Sequence, residues 1–202
     1  MNKVVSAFLV WIGRTFLADQ VTFLRKRVEA AVKNNRKCLH QDIAESLIRL
    51  LVVAEDRRFW KHYGVDVLAI VRALFHMALY RELQGASTID QQLVRTLTGY
   101  RKLSLRRKVR EMVLACVIGT FMPKREIATM YLCCAYYGWR MNSLNQACRR
   151  LRFDAKTLTL SESANLVARL KYPEPKMATA ARRSLIERRA ANIVRNAIRL
   201  TI

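Results

Sequence analysis

Ile43-Ala44-Glu45-Ser46-Leu47-Ile48-Arg49-Leu50-Leu51-Val52-Val53-Ala54 decides the fold class. Ile43, Leu47, Leu50, Leu51 and Ala54 fall at i, i+4, i+7, i+8 and i+11, one face of an α-helix. Asp42, with Glu45 three residues on, resembles a capping box at its start. The same period recurs downstream. Residues 67–81 read as a second, very apolar helix, which Gly85 breaks, and Ser87 or Thr88 suits the N-cap of a third helix through Leu97. Gly99-Tyr100 mark a loop. Further helices are expected from about Ser104 to Met122, stopped by Pro123, and from Lys124 to Tyr137, closed by Gly138. Thr159 with Glu162 makes another capping-box start, for a helix to Leu170 halted by Pro173 and Pro175. A basic helix from Ala178 to Leu200 finishes the chain. No segment alternates convincingly as a strand, and only 6 Gly and 3 Pro punctuate 202 residues, so the expected fold class is all-α.

A chain of this length builds one well-cored domain rather than two. Its 37 Lys+Arg against 15 Asp+Glu leave +22, which calls for a polyanionic partner or surface: nucleic acid, anionic lipid or a pyrophosphate-bearing substrate. Five cysteines, an odd number with no CxxC pair and no Cys/His zinc spacing, argue against a disulfide framework. Adjacent Cys133 and Cys134 cannot pair without strain, and all five read as small buried hydrophobes.

At the N-terminus Lys3 precedes an apolar run from Val4 to Ile12, continued to Leu24 with interruptions at Gly13, Arg14 and Asp19. The clean run is shorter than the ~20 residues a membrane span needs. A poor signal anchor over Val4 to Leu17, an amphipathic helix lying on a membrane and an ordinary buried helix all remain open. The cluster from Arg25 to Lys37 favours a cytoplasmic flank. The expected organisation is residues 1–37 as an apolar and basic N-terminal segment and 38–202 as the main domain.

Three stretches carry chemistry. Glu55-Asp56 stands where the first helical periodicity runs out, a place that suits acid or base work, or else a solvated pair neutralised by Arg57 and Arg58. Thr88, Gln92 and Arg95 stand at i, i+4 and i+7, giving one helical face a hydroxyl, an amide and a guanidinium. Free N–H groups at that helix's start also suit an oxyanion; the alternative is a polar exposed face. Glu111 lies four residues after Arg107 and three after Lys108, so the three share a face, as anion cradle or ion-pair ladder.

Taken in order, these stretches resemble a family. Glu55-Asp56-Arg57-Arg58-Phe59-Trp60-Lys61-His62-Tyr63-Gly64-Val65-Asp66 resembles the first motif (EDxxFxxHxGxD) of peptidoglycan glycosyltransferases, monofunctional or fused in class A penicillin-binding proteins. Gln84 to Leu93 resembles the second (QGGSTITQQL), and Arg107-Lys108 with Glu111 the third (RKxxE). Lys124-Arg125-Glu126-Ile127, then Tyr131-Leu132 and Gly138, is similar to the fourth, and Leu158 to Ala164 to a later helix start. The resemblance runs from about residue 44 to 175.

That resemblance implies a lysozyme-like, mostly helical domain with a membrane-facing subregion built from the apolar segment between the first two motifs. It implies polymerisation of lipid II into glycan with release of undecaprenyl pyrophosphate, at the outer face of a bacterial cytoplasmic membrane. Glu55 would be the general base and Glu111 the second catalytic acid. Asp56, Phe59, His62, Ser87, Thr88, Gln91, Gln92, Arg95, Arg107 and Lys108 would bind substrate or shape its site. No cofactor is required; a divalent cation (Mg2+ or Mn2+) at the pyrophosphate is possible, with no dedicated metal ligands. Partners would be lipid II, the growing glycan chain, an anionic membrane surface and other cell wall synthesis proteins, with no nucleic acid.

The chain departs from the pattern at Ala86 for Gly, Asp90 for Thr, Arg95 for Lys, Leu103 for Arg and Cys133 for Asn. Trp139-Arg140-Met141 also replaces a stretch of small residues. These departures motivate a second reading, a weakly active homologue that grips lipid II or membrane. A basic helical nucleic-acid binder rests on charge with no motif behind it. A lytic enzyme fits poorly with cation-rich faces, since cutting finished glycan involves no pyrophosphate.

Overall fold

The computed structural model describes residues 2–39, 43–81, 85–100 and 104–200. Asp42, Gln84, Arg101, Lys102 and Leu103 lie outside them. Eleven α-helices and one 3-10 turn form among the described residues, with two isolated bridges and no strand, so the all-α expectation holds. The helices are α1 (Asn2–Phe16), α2 (Ala18–Asn34), α3 (Arg36–Leu39), α4 (Glu45–Glu55), α5 (Val67–Tyr80) and α6 (Ile89–Thr98), then α7 (Leu105–Ile118), α8 (Lys124–Cys134), α9 (Leu144–Leu151), α10 (Leu160–Lys171) and α11 (Ala180–Arg199). They fall into two compact units, one of Met1–Ala30 and Arg58–Ile127, the other of Ala31–Arg57 and Ala128–Ile202.

In the first unit α7 is central, with α1 and α6 packed against it. Ile89, Leu93, Val94 and Leu97 of α6 and Val113, Leu114, Val117 and Ile118 of α7 are buried. α1 approaches α7 closely at Gly13, where a Cβ would stand 2.7 Å from a methyl of Val117, and its Ser6 hydroxyl donates to the carbonyl of Tyr63, ahead of α5, at 2.8 Å. The opposite side of α1 leaves Val4, Phe8, Trp11 and Phe16 exposed. It therefore packs on one side and offers apolar surface on the other. α1 and α2 meet at a bend of 101°, and no single described helix is long and apolar enough to cross a membrane. Gly64 (φ +91°) is forced, since a Cβ there would sit 2.4 Å from the Ala115 carbonyl oxygen.

α5 is the anomaly of that unit. Asp66 caps its start and Arg81, in the left-handed region, its end, yet none of its residues is buried. Leu74, Phe75, Leu79 and Tyr80 are all more than half exposed. A helix hydrophobic all round normally sits inside a core or a membrane.

In the second unit α4 packs on α10 and α11, and α10 on α11. The α4 face read from the sequence is the one buried, with Leu47, Leu50 and Leu51 fully covered. Ala44 takes the N-cap position without a side-chain bond. The Thr159–Glu162 capping box forms as expected, and hydrogen bonds from the Thr159 N–H and hydroxyl hold the Glu162 carboxyl below its usual value.

Three expectations need correcting. α7 ends at Ile118 rather than Met122, because Gly119 caps it and the next three N–H groups turn back onto Val117 and Ile118. α8 ends at Cys134, because the Tyr137 N–H bonds the Met141 carbonyl instead of continuing the helix. The argument against a disulfide fails for two of the five cysteines: buried Cys38 of α3 and Cys133 of α8 form one, their Cα atoms 6.1 Å apart. Proximity across 95 residues is a tertiary fact that counting could not supply. Cys116, Cys134 and Cys148 remain free, each thiol pushed up to about 11 by burial. α9 went unforeseen, although Ser143 caps it and Leu144, Ala147 and Cys148 mark a buried face.

Closing a long loop restricts the unfolded chain, so reduction or Cys133→Ser should lower stability by about 2–4 kcal/mol. A thermal melt with and without reductant reads this directly. An unchanged Tm would mean that the bond constrains nothing.

Candidate functional site

The first unit gathers the second and third sequence motifs around one buried carboxylate. Glu111 is 2% exposed. Arg95 grips it with a two-pronged fork, Nε to Oε1 at 2.6 Å and Nη2 to Oε2 at 3.1 Å. Arg107, one turn earlier on α7, donates Nη1 to the same Oε1. A carboxylate with one oxygen shared between two guanidiniums is anchored in place. Lys108 turns the other way, donating Nζ to the Ser87 hydroxyl at 2.7 Å and to Gln91 Oε1 at 2.6 Å.

Three cations thus surround one acid, a local excess of two positive charges. Burial, the largest effect, holds the Lys108 ammonium below the usual lysine value; Glu111 opposes this, while Arg95 and Arg107 add to it. Two buried donors, Gln91 Nε2 and Arg107 Nε, lack an acceptor. An excess of positive charge carried on guanidinium and ammonium groups is the chemistry of an oxyanion site. Both Glu111 oxygens already accept from guanidiniums, so this cluster does not fit a protein-held metal ion.

The other candidates of this unit build a support. Thr88 caps α6: its hydroxyl accepts from the Gln91 N–H at 3.3 Å and donates to the Gly64 carbonyl at 2.7 Å, joining the second motif to the first. Gln92 is half-buried on the same helix. Asp90, fully buried, receives Lys124 Nζ on both oxygens at 2.9 and 2.8 Å. The same ammonium lies 4.3 Å from the Phe59 ring centroid and 3.4 Å from His62 Nδ1. The departure at Asp90 therefore has a charge partner in the fourth motif. Sequence reading missed Lys124, although an acid among Ile89, Leu93 and Val94 signals the need for a buried cation. Asp66, too, pairs with Arg58 at 3.0 Å.

Glu55 and Asp56 belong to the second unit. Glu55 is the last residue of α4 and half-buried, and Asp56, buried, is the C-cap whose N–H bonds the Val52 carbonyl. The Glu55 carboxylate accepts from Arg189 Nη2 of α11 at 2.6 Å. Of the two arginines expected to neutralise Glu55-Asp56, Arg57 and Arg58, the second pairs with Asp66.

A family model described as transglycosylase matches residues 22–197. A biosynthetic peptidoglycan transglycosylase of Xanthomonas euvesicatoria is 38% identical over 173 residues, 82% of this chain and 69% of that protein. Penicillin-binding protein 1A of Aquifex aeolicus is 38% identical over 134 residues, 65% of this chain and 18% of that protein. The Rickettsia felis protein of that name is 35% identical over 136 residues, 65% of this chain and 17% of its own length. The chain thus spans less than a fifth of the penicillin-binding proteins that it matches.

A lysine with a lowered pKa loses its charge earlier as pH rises. Affinity for inorganic pyrophosphate should therefore be full near neutrality and decline on the alkaline side. Lys108→Arg, whose guanidinium does not deprotonate, should keep it. Calorimetric titration across pH checks this; the same alkaline decline in both proteins would clear Lys108 of responsibility.

Proposed function

The chain belongs to the transglycosylase family, and from that premise we propose that it polymerises lipid II into glycan strands. The observation that carries this reading is the Arg95–Arg107–Lys108 cluster, with surplus positive charge suited to the leaving pyrophosphate. Glu55 takes the proton from the acceptor sugar hydroxyl. The freed oxygen attacks the anomeric carbon of the donor chain, the bond to undecaprenyl pyrophosphate breaks, and that group leaves with the electron pair. A single displacement inverts the anomeric centre. Glu111 acts through the guanidiniums that it holds. Asp56, Phe59, His62, Ser87, Thr88, Gln91 and Gln92 bind substrate or hold those that do. A divalent cation would supply further charge neutralisation to the leaving pyrophosphate, with none of the Glu111 cluster free to hold it.

Residues 38–202 constitute the glycosyltransferase domain, and residues 1–37 attach it to the membrane surface. The exposed apolar sides of α1 and α5 support that attachment. The Cys38–Cys133 disulfide supports a location on the outer face of a bacterial cytoplasmic membrane, since such bonds persist in oxidising compartments. The basic excess serves lipid and pyrophosphate rather than nucleic acid, and other cell wall synthesis proteins are further partners.

Glu55→Gln should cut polymerisation by about a hundred- to ten-thousand-fold, because glutamine keeps the shape but cannot take the proton. Labelled lipid II read on a gel measures the loss, and circular dichroism with lipid II binding shows whether the fold survives. Near-normal polymerisation would remove Glu55 as the base. Absence of polymer from the unaltered protein, across detergents and divalent cations, would favour the binding homologue.

A further inference from the structure

Trp139-Arg140-Met141, just after Gly138, is where the chain leaves the family's small-residue pattern, and the second unit builds a fixed turn there. Gly138 (φ +142°) is required, since a Cβ on it would lie 2.3 Å from the Glu174 carbonyl oxygen. Trp139 N–H donates to that carbonyl at 2.7 Å, and Tyr137 N–H to Met141 at 2.8 Å. The turn is held from both sides, which fixes the half-buried indole.

Three cations converge on that ring. The guanidinium carbons of Arg140 and Arg150 lie 4.5 and 4.9 Å from its centroid, and Lys176 Nζ lies 5.6 Å away. None of the three pairs with a carboxylate among the described residues, and the adjacent acid, Glu174, is held by Arg169 at 2.7 Å. The ring's quadrupole attracts each cation weakly at an exposed site but neutralises none. Three like charges around one ring call for an anion. The flanks add apolar surface: Tyr136 is 46% exposed and Met177, beside Lys176, 85%. Cations around an indole with a projecting apolar side chain suit a lipid–water interface. The aromatic rings would rest at headgroup level and the cations on phosphate. Nucleic acid or a soluble polyanion would answer the charge but leave Met177 and Tyr136 bare.

We propose that Trp139, Arg140, Arg150 and Lys176 form a docking site for anionic phospholipid headgroups, with Met177 entering the lipid surface beside them. The site rests on the membrane-surface reading above but uses residues distinct from α1 and α5.

Trp11→Phe/Trp60→Phe leaves Trp139 as the single tryptophan of the full chain. Phosphatidylcholine vesicles with phosphatidylglycerol should shield Trp139 from acrylamide, and phosphatidylcholine alone should not. Adding Arg140→Ser/Arg150→Ser/Lys176→Ser should abolish the shielding and weaken partitioning on the order of a hundredfold. Arg183→Ser/Arg188→Ser/Arg195→Ser, on exposed positions of α11, should leave the shielding intact. Vesicle binding without shielding of Trp139 would overturn the docking site while sparing the membrane reading; no vesicle binding at all would overturn both. Shielding by duplex DNA or a glycan strand, but not by vesicles, would reassign the patch and overturn the proposal.

Discussion

The buried Glu111 carboxylate, clasped by Arg95 and Arg107, is the constraint around which the first unit is arranged. A carboxylate 2% exposed is costly unless cations come with it, and removing one partner of such a pair typically costs about 3–5 kcal/mol. Arg107 is 14% exposed at its side chain and Arg95 35%, so solvent screens the contact from α6 more than the contact within α7. The fork still ties α6 to α7. Lys108, carried by the same helix, reaches Ser87 and Gln91 instead of the acid. The basic motif thus divides between holding a carboxylate and presenting charge.

A second buried ion pair in the same unit is Asp90 with Lys124. Asp90 brings a full charge into a fully covered position, and Lys124 answers it while lying over Phe59. The pair joins residues of three motifs into one polar core within the unit. Thr88 does the same for the backbone, spending its hydroxyl on Gly64 and on its own helix start. Thr88, Asp90, Gln91 and Glu111 are all buried, so these motif residues form the polar interior of the unit.

In the second unit the corresponding acid is Glu55, held by Arg189 at 2.6 Å where α4 ends against α11. The apolar face of α4 sets that end in place, and the disulfide secures α3 to α8 in the same unit. Cys133, a departure when read as a lone residue, makes sense only with Cys38. Trp139 and Arg140 likewise acquire meaning only with Arg150 and Lys176 around the ring.

Helical periodicity, capping residues and motif order were legible in the sequence, because each depends on side chains within about a turn or two of one another. The buried face of α4, the caps at Thr88 and Thr159, and the grouping of Arg107, Lys108 and Glu111 all belong to that class. Helix ends were less legible: α7 and α8 stop where turn hydrogen bonds outcompete the next helical one. Partners far apart in the chain could not be read at all. Arg189 for Glu55, Lys124 for Asp90, Arg95 for Glu111, Cys38 for Cys133 and Arg150 for Trp139 are separated by eleven residues or more. Local geometry fixes which residues share a helix face, whereas only the packing of helices decides which charge meets which.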